Sequence, residues 1–506
     1  MLVTDTGLLF VITFWICLFF INLLLKSSQR YGFLYTETLV SFGVTFSLCQ
    51  IRWQTSLFNK LFSKIGRYNP KLSLLWFTLG AVFAVISMVS SVVILTLMLY
   101  RSVKDTKADK LLQPVMPGMN LPWNQVAYYL TTLIISGTFH EVGHAIAAVR
   151  ENVRVLSFGV FVLFMYPGAF VELHTDQLDI ITPFRRLRIF SAGVWHNFIL
   201  AVVAYILSTS LPMWLSPLYT MGDGVLVTHV AQQSSIVNRL PVGDVITYIN
   251  NCPVRKTEDW YLCLQKIQTN PVDGYCGPSS YTKTHNMSLP TLVENFGEPD
   301  CCNDTSAYRF CFWYKRHPKA MSLSQKLFNA NILVRTSLEY NSKFTEHACL
   351  PARHILSGKM CKTNLDCALK NATEFSLCHI PLTKNTTRVI RIGHKKGQEV
   401  LFVGEPRELS STIMLSDYIP IYNTPLLNLP KHIESMCLYL ISISAALALL
   451  NMVPCFYLDG HHTLEILLEI LLPHQHKLRL QIQTVILMLG SSLLLVNVLI
   501  ALSTLF

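Results

Sequence analysis

The residues with the clearest chemical potential are His140-Glu141-Val142-Gly143-His144. Histidines at i and i+4 share one helical face a turn apart, so both imidazoles can reach a single ion. Glu141 is then placed to take a proton from a water held by that ion. The surrounding run, 124–149, is apolar enough to cross a membrane, and charged groups at a bilayer centre cost roughly 2–3 kcal/mol or more each. A helix end leaving its polar groups in water is the bland alternative, and it gives the three side chains no common task.

Catalytic zinc takes three protein ligands and a water, so two imidazoles leave it one ligand short. The segment Asn451-Met452-Val453-Pro454-Cys455-Phe456-Tyr457-Leu458-Asp459-Gly460 offers Asp459, the only acid between Glu434 and Glu465. Pro454 should interrupt a helix and let the chain bend back toward the metal. His461 and His462 are adjacent candidates, as are Glu172 and His174. Spacing alone does not choose among them.

These residues need a membrane scaffold. The chain has 506 residues, of which 51% are hydrophobic and 14% charged, against about a quarter charged in ordinary globular proteins. Its mean hydropathy is +0.39. A fully soluble, disordered or fibrous chain is excluded on this composition. The net charge of +11 lies in short basic blocks beside apolar runs, a membrane pattern and not a nucleic-acid one.

Apolar runs near 7–25, 72–100, 124–149, 188–215, 433–453 and 481–505 are long enough to span, since a bilayer core needs about 20 residues. The first has no basic stretch before it and reads as a retained anchor. The run Val155–Val171 is shorter and broken by Tyr166-Pro167-Gly168, which predicts a membrane-embedded β-hairpin turning at 166–168. The fold class is therefore a polytopic α-helical membrane protein of about six spans with an embedded hairpin. At about 1.5 Å per residue, His140 lies roughly 24 Å along its helix from Asn124, within a core about 30 Å thick.

Lys26, Arg30, Arg52, Lys60, Lys64, Arg67 and Lys71 face one acid, Glu37, between 26 and 71; the positive-inside bias makes that segment cytosolic. Residues 216–432 are then lumenal. Ten of the fourteen cysteines fall there, as disulfides in an oxidising compartment would. So do the glycosylation sequons starting at Asn286, Asn303, Asn371 and Asn385. Around Ile51–Leu61 the cytosolic stretch reads as an amphipathic surface helix or an ordinary packed loop.

The expected organisation is an N-terminal membrane region (1–101), a lumenal linker (102–123) and two halves of a catalytic core (124–215 and 433–506). Between the halves lies the lumenal domain. Its residues Gly224–Val254 resemble the first half of a PDZ domain. A cysteine-rich insertion at about 255–385 follows, and runs near Arg388–Ile392 and Val400–Val403 can complete the sheet.

The HEVGHA run, the later Asn-x-x-Pro-x-x-x-Leu-Asp-Gly run and Ser-Ala-Gly-Val-Trp-His-Asn at 191–197 together resemble the site-2 protease family of intramembrane metalloproteases. The likeness covers nearly the whole chain. It implies one Zn2+ held by His140, His144 and Asp459, with Glu141 as general base. It also implies that Asn451 lies beside the bound substrate strand and that Asn197 belongs to a supporting helix. His461-His462 departs from the family's usual residues after Leu-Asp-Gly. The implied partners are single-span transcription-factor precursors already cut on the lumenal side, of the sterol-regulatory and stress-sensor types, in Golgi or endoplasmic reticulum membrane.

Two other classes compete. A membrane zinc protease of the prenyl-CaaX-processing type also carries H-E-x-x-H, but takes a glutamate as third ligand on a later helix. A metal transporter would use histidine and aspartate for passage, but no internal repeat is found in this chain.

Overall fold

The computed structural model describes residues 2–47, 49–104, 115, 120–290, 292–295, 298–302, 308–315, 345–368, 375–383, 386–395, 397–422 and 427–503. The chain divides into two compact units, Met1–Met213 with His432–Phe506, and Trp214–Lys431.

In the first unit the helices are α1 (Leu2–Ser27), α2 (Gly32–Phe42), α3 (Asn59–Gly66), α4 (Pro70–Lys104), α5 (Val126–Arg150), α6 (Thr175–Ile180), α7 (Pro183–Leu215), α8 (Leu429–Leu450), α9 (Asp459–Leu471) and α10 (His476–Ser503). Among the described residues, α4, α7, α8 and α10 are long and apolar enough to cross a membrane. A fifth span is added if the bent pair Val11–Ser27 and Gly32–Phe42, set at 118°, counts as one. α5 falls short of that measure, because its C-terminal half carries His140, Glu141, His144 and Arg150.

Four antiparallel strands form one sheet in the order β1 (Val44–Ser47), β2 (Gln50–Thr55), β3 (Val155–Leu163) and β4 (Tyr166–Leu173). The expected hairpin is present, but its turn is Phe164-Met165, with Leu163 opposite Tyr166. Phe164 takes the left-handed conformation this needs (φ 58°). Its N–H is donated to the Cys49 carbonyl at 2.8 Å, and its own carbonyl accepts the Trp15 indole N–H at 2.7 Å. Tyr166-Pro167-Gly168 is strand instead, because Pro167 sits opposite Val162 where an edge strand can do without its N–H. Ile51 and its neighbours pair with β3; the amphipathic helix lies just beyond them, as α3.

α3 packs its Phe62 (3% exposed) into a core with Phe77, Ala145, Ala148, Phe158 and Ile189, a burial worth about 2–3 kcal/mol. Alanines and glycines on α5 let its neighbours approach closely, the usual device where lipid supplies no hydrophobic drive. Ser136 on α5 and Ser444 on α8 join by a buried hydroxyl contact of 2.9 Å.

In the second unit, strands Val400–Gly404, Arg388–His394, Val245–Ile249, Val225–Val230 and Ile413–Ser416 lie in that order in one sheet. The helix Thr257–Thr269 packs Trp260, Cys263 and Leu264 into the core of this sheet, against Val225, Ile246 and Ile390. A separate five-stranded sheet begins with Gly274–Pro278 and includes Arg309–Lys315, Thr345–Pro351 and Ser376–Pro381. All ten cysteines of this unit are paired, as Cys252–Cys263, Cys276–Cys367, Cys301–Cys311, Cys302–Cys349 and Cys361–Cys378. Asn286 is exposed, with its side-chain oxygen accepting the N–H of Cys349 at 2.9 Å. Asn303, Asn371 and Asn385 lie outside the described residues.

Candidate metal centre

On α5 the one-turn spacing turns His140 and His144 to the same buried face, both 6% exposed. Their Nε2 atoms are 3.1 Å apart. Asp459 Oδ2, from the start of α9, lies 2.9 Å from His140 Nε2 and 3.4 Å from His144 Nε2.

Asp459 gets there through the chain break between α8 and α9. α8 ends at Leu450, and the next residues form tight turns in which Met452, Val453 and Cys455 are buried. The Gly460 N–H is then donated back to the Asn451 carbonyl at 2.7 Å. A Cβ at Gly460 would meet the Met452 carbonyl oxygen at 2.7 Å, so only glycine closes this loop without a shift.

One face of α7 supports both imidazoles. The Ile189 carbonyl accepts the His144 Nδ1–H at 2.8 Å. One turn on, Gly193 leaves the space the rings occupy, since a Cβ there would lie 2.6 Å from His140 Nε2. A further turn on, the Asn197 amide lies 3.2 Å from His140 Nδ1. Asn197 is fully buried; its Nδ2 is the atom facing His140 Nδ1, and its Oδ1 has no hydrogen-bond partner. Turning the amide over brings Oδ1 onto an Nδ1–H and leaves His140 Nε2 with a free lone pair, as the Ile189 bond does for His144.

With those tautomers two lone-pair nitrogens face the Asp459 carboxylate oxygen 2.9 and 3.4 Å away, and three acceptors converging in this way are reconciled by a cation. Their separations suit zinc, whose bonds of about 2.0–2.1 Å in a tetrahedron put ligands roughly 3.3 Å apart. The donor set of two imidazoles and one carboxylate suits it too.

Glu141, the next residue after His140, points to the edge strand β4, where its carboxylate accepts the Val171 N–H at 3.1 Å. The Asn451 side-chain amide reaches His140 Nε2 at 3.4 Å. The other candidate ligands lie elsewhere. His462 stacks on Phe190 with ring centres 4.5 Å apart, and His461 stacks on His462. Glu172 accepts the Ser157 hydroxyl at 2.8 Å, and His174 is not among the convergent groups. His196 is buried against Phe77, with its Nδ1 2.7 Å from the Ala192 carbonyl. The roles of Ile189, Gly193 and the Val171 amide went unread in the sequence. Positions 189, 193 and 197 share the i, i+4, i+8 stripe of one helix face, which was the available signal.

Among known proteins, the model of Peptidase family M50 matches residues 128–497. A membrane-bound transcription factor site-2 protease homolog of Arabidopsis thaliana is 25% identical over 479 residues, 88% of this chain and 90% of that one. An uncharacterized protein of Methanocaldococcus jannaschii is 28% identical over 213 residues, 41% of this chain and 53% of its own. The family match takes in both helices that bring the donor atoms together, and the chain belongs to peptidase family M50, the site-2 protease family of metalloproteases.

Proposed function

We propose that this protein is an intramembrane zinc endopeptidase that cuts a membrane-anchored substrate within or near its transmembrane helix. The observation that carries the reading is the convergence of His140, His144 and Asp459 within hydrogen-bond distance of one another, beside Glu141. His140, His144 and Asp459 would hold the ion. Bound zinc supplies an acidified water and polarises a carbonyl.

The protein's own groups do the rest. Glu141 accepts the proton of the attacking water and returns a proton to the leaving amine. The Val171 N–H holds its carboxylate at a fixed angle meanwhile. Asn197 and the Ile189 carbonyl keep both imidazoles in the metal-binding tautomer. A substrate helix hides its carbonyls in its own i→i−4 bonds, so it must be unwound locally. Asn451 can bond the freed backbone, and β4 offers an edge for strand addition. A cavity of about 460 Å3 between α4, α5, α8 and α10, mostly apolar, includes Leu133 and Leu450 in its wall.

The wider reading is a chain of six spans, α5 among them, with the cysteine-rich unit lumenal and glycosylated at Asn286, Asn303, Asn371 and Asn385. That unit combines a PDZ-like sheet with an inserted disulfide-bonded one, and excludes uncut ectodomains by size or receives a new C-terminus. The substrates are single-span transcription-factor precursors, released to the cytosol after a first lumenal cut. The cell processes served are sterol and unfolded-protein responses in Golgi membrane. The relative from Arabidopsis, named for transcription-factor cleavage, supports this substrate class.

The test is metal analysis and cleavage by purified protein. Glu141→Gln is expected to keep one zinc per chain and lose cleavage, whereas Asp459→Ala loses both. Full cleavage by E141Q, or a full zinc content in D459A, overturns the assignment.

A further inference from the structure

A second cavity, of about 370 Å3, lies away from the metal centre between α3, the C-terminal end of α5 and the start of β3. Asn59 and Ser63 of α3 and Arg67, which caps its C-terminus, line it one turn apart, and Asn152, Arg154 and Gln177 line it too. Among the described residues, no carboxylate lines it. Both arginines are exposed, so two guanidinium groups stand at one polar hollow with their charge uncompensated by its walls. Lys60 and Lys64, also exposed, follow on α3.

The wall is held in place by Asn59, whose amide hydrogens are both used on the carbonyls of Val155 and Leu156, each at 3.0 Å. Arg67, Arg154, Lys60 and Lys64 stand at the hollow or on the helix that lines it, so the ligand that fits is an anion carrying more than one charge. A phosphorylated polyol is such an anion.

Two sources could present that chemistry, a free phosphorylated sugar or a lipid headgroup, and the rim decides between them. Leu57, just before α3, is 79% exposed, and Leu61 and Ile65 on it are 50% and 44% exposed, an apolar stripe beside Lys60 and Lys64. The opposite side of α3 is pinned to α5, where a Cβ at Gly66 would lie 2.9 Å from the Ile146 carbonyl oxygen. A rigidly held helix with apolar residues outward and cations at a polar hollow matches a bilayer interface. We propose that this cavity binds the headgroup of an anionic membrane phospholipid of the phosphoinositide class. Arg67 and Arg154 grip the phosphate, Lys60 and Lys64 add to the field it meets, and the acyl chains run along Leu57, Leu61 and Ile65.

The test uses the full chain in neutral detergent, titrated with dioctanoyl phosphatidylinositol 4-phosphate. Dioctanoyl phosphatidylserine, dioctanoyl phosphatidylcholine and soluble inositol 1,4-bisphosphate are the comparison ligands, and thermal unfolding is the readout. The phosphoinositide is expected to raise the unfolding temperature saturably, phosphatidylcholine not at all, and the other two weakly. Arg67→Gln with Arg154→Gln should weaken the response about tenfold or more, through loss of two charge-assisted contacts. Arg239→Gln with Arg407→Gln, in the other unit, should leave it intact. If the double variant does not fold, Ser63→Glu places a repelling charge in the hollow and must show the same loss. An equal response to phosphatidylserine overturns the headgroup assignment. An equal response to inositol bisphosphate overturns the lipid one, and a response surviving both cavity variants overturns the site.

Discussion

Gly460 donates its backbone N–H to the carbonyl of Asn451, and this 2.7 Å bond closes the loop that carries Asp459 back toward α5. The bond ties the residue beside His140 to the residue after Asp459. The positions of the Asp459 carboxylate and of the Asn451 amide are thereby set together.

Gly460→Ala should therefore act as a metal-site mutation although it removes no ligand. The added carbon would meet the Met452 carbonyl oxygen at 2.7 Å, and the loop must open. A displacement on the order of 1 Å costs about 100-fold in rate. Cleavage assays with zinc analysis should show that loss together with lowered metal content. Near-normal values of both would mean the loop tolerates the shift.

The α7 stripe predicts graded effects. Gly193→Ala puts a carbon 2.6 Å from His140 Nε2 and should abolish metal retention, with the metal-free protein also destabilised by about 1–3 kcal/mol because the buried rings must shift. Asn197→Ala keeps the ligands but frees the His140 tautomer, so zinc affinity should fall about 10- to 100-fold. Competition with a chelator measures both. Equal affinity in N197A and the parent would remove Asn197 from its supporting role.

Glu151 closes α5 in a buried ion-pair group. It is 2% exposed, and Arg188 Nε lies 2.7 Å from its carboxylate, with Arg185 Nε at 3.6 Å. Breaking such a pair from one side leaves an uncompensated buried charge, at about 3–5 kcal/mol. Glu151→Ala is expected to lower unfolding stability by that order, and pairing it with Arg188→Met should recover part of the loss. Additive losses would argue against a coupled pair.

The disulfide-bonded unit should weaken in mild acid. His379 is fully buried in the second sheet, and its Nε2 lies 2.9 Å from the Thr282 hydroxyl. Burial holds its pKa down at about 4, against about 6.5 for an unfolded histidine. Above 6.5 both states are neutral. Between 6.5 and 4 only the unfolded chain takes up the proton, so stability falls by up to about 1.4 kcal/mol per pH unit across that window. Unfolding followed from pH 7 to 4 should show this slope in the parent and a shallower one in His379→Gln.

Much of this molecule was readable locally. The helical period alone turns His140 and His144 to one face, and the lengths of the apolar runs predicted α4, α7, α8 and α10 within a few residues. The cysteine-rich region foretold disulfides because thiols in an oxidising setting pair. Which thiols pair was not readable, since contact between Cys276 and Cys367 depends on strand order in a sheet. That Asp459 meets the histidine pair, and His461, His462, Glu172 and His174 do not, was equally tertiary, because spacing offers all of them and only the Asn451–Gly460 closure aims one. The hairpin turn moved from Tyr166-Pro167-Gly168 to Phe164-Met165 because Cys49, in the turn between β1 and β2, and Trp15 of α1 hold Phe164 from outside the hairpin. Local rules act through neighbours along the chain; a carboxylate that meets two imidazoles from about three hundred positions away is set by packing.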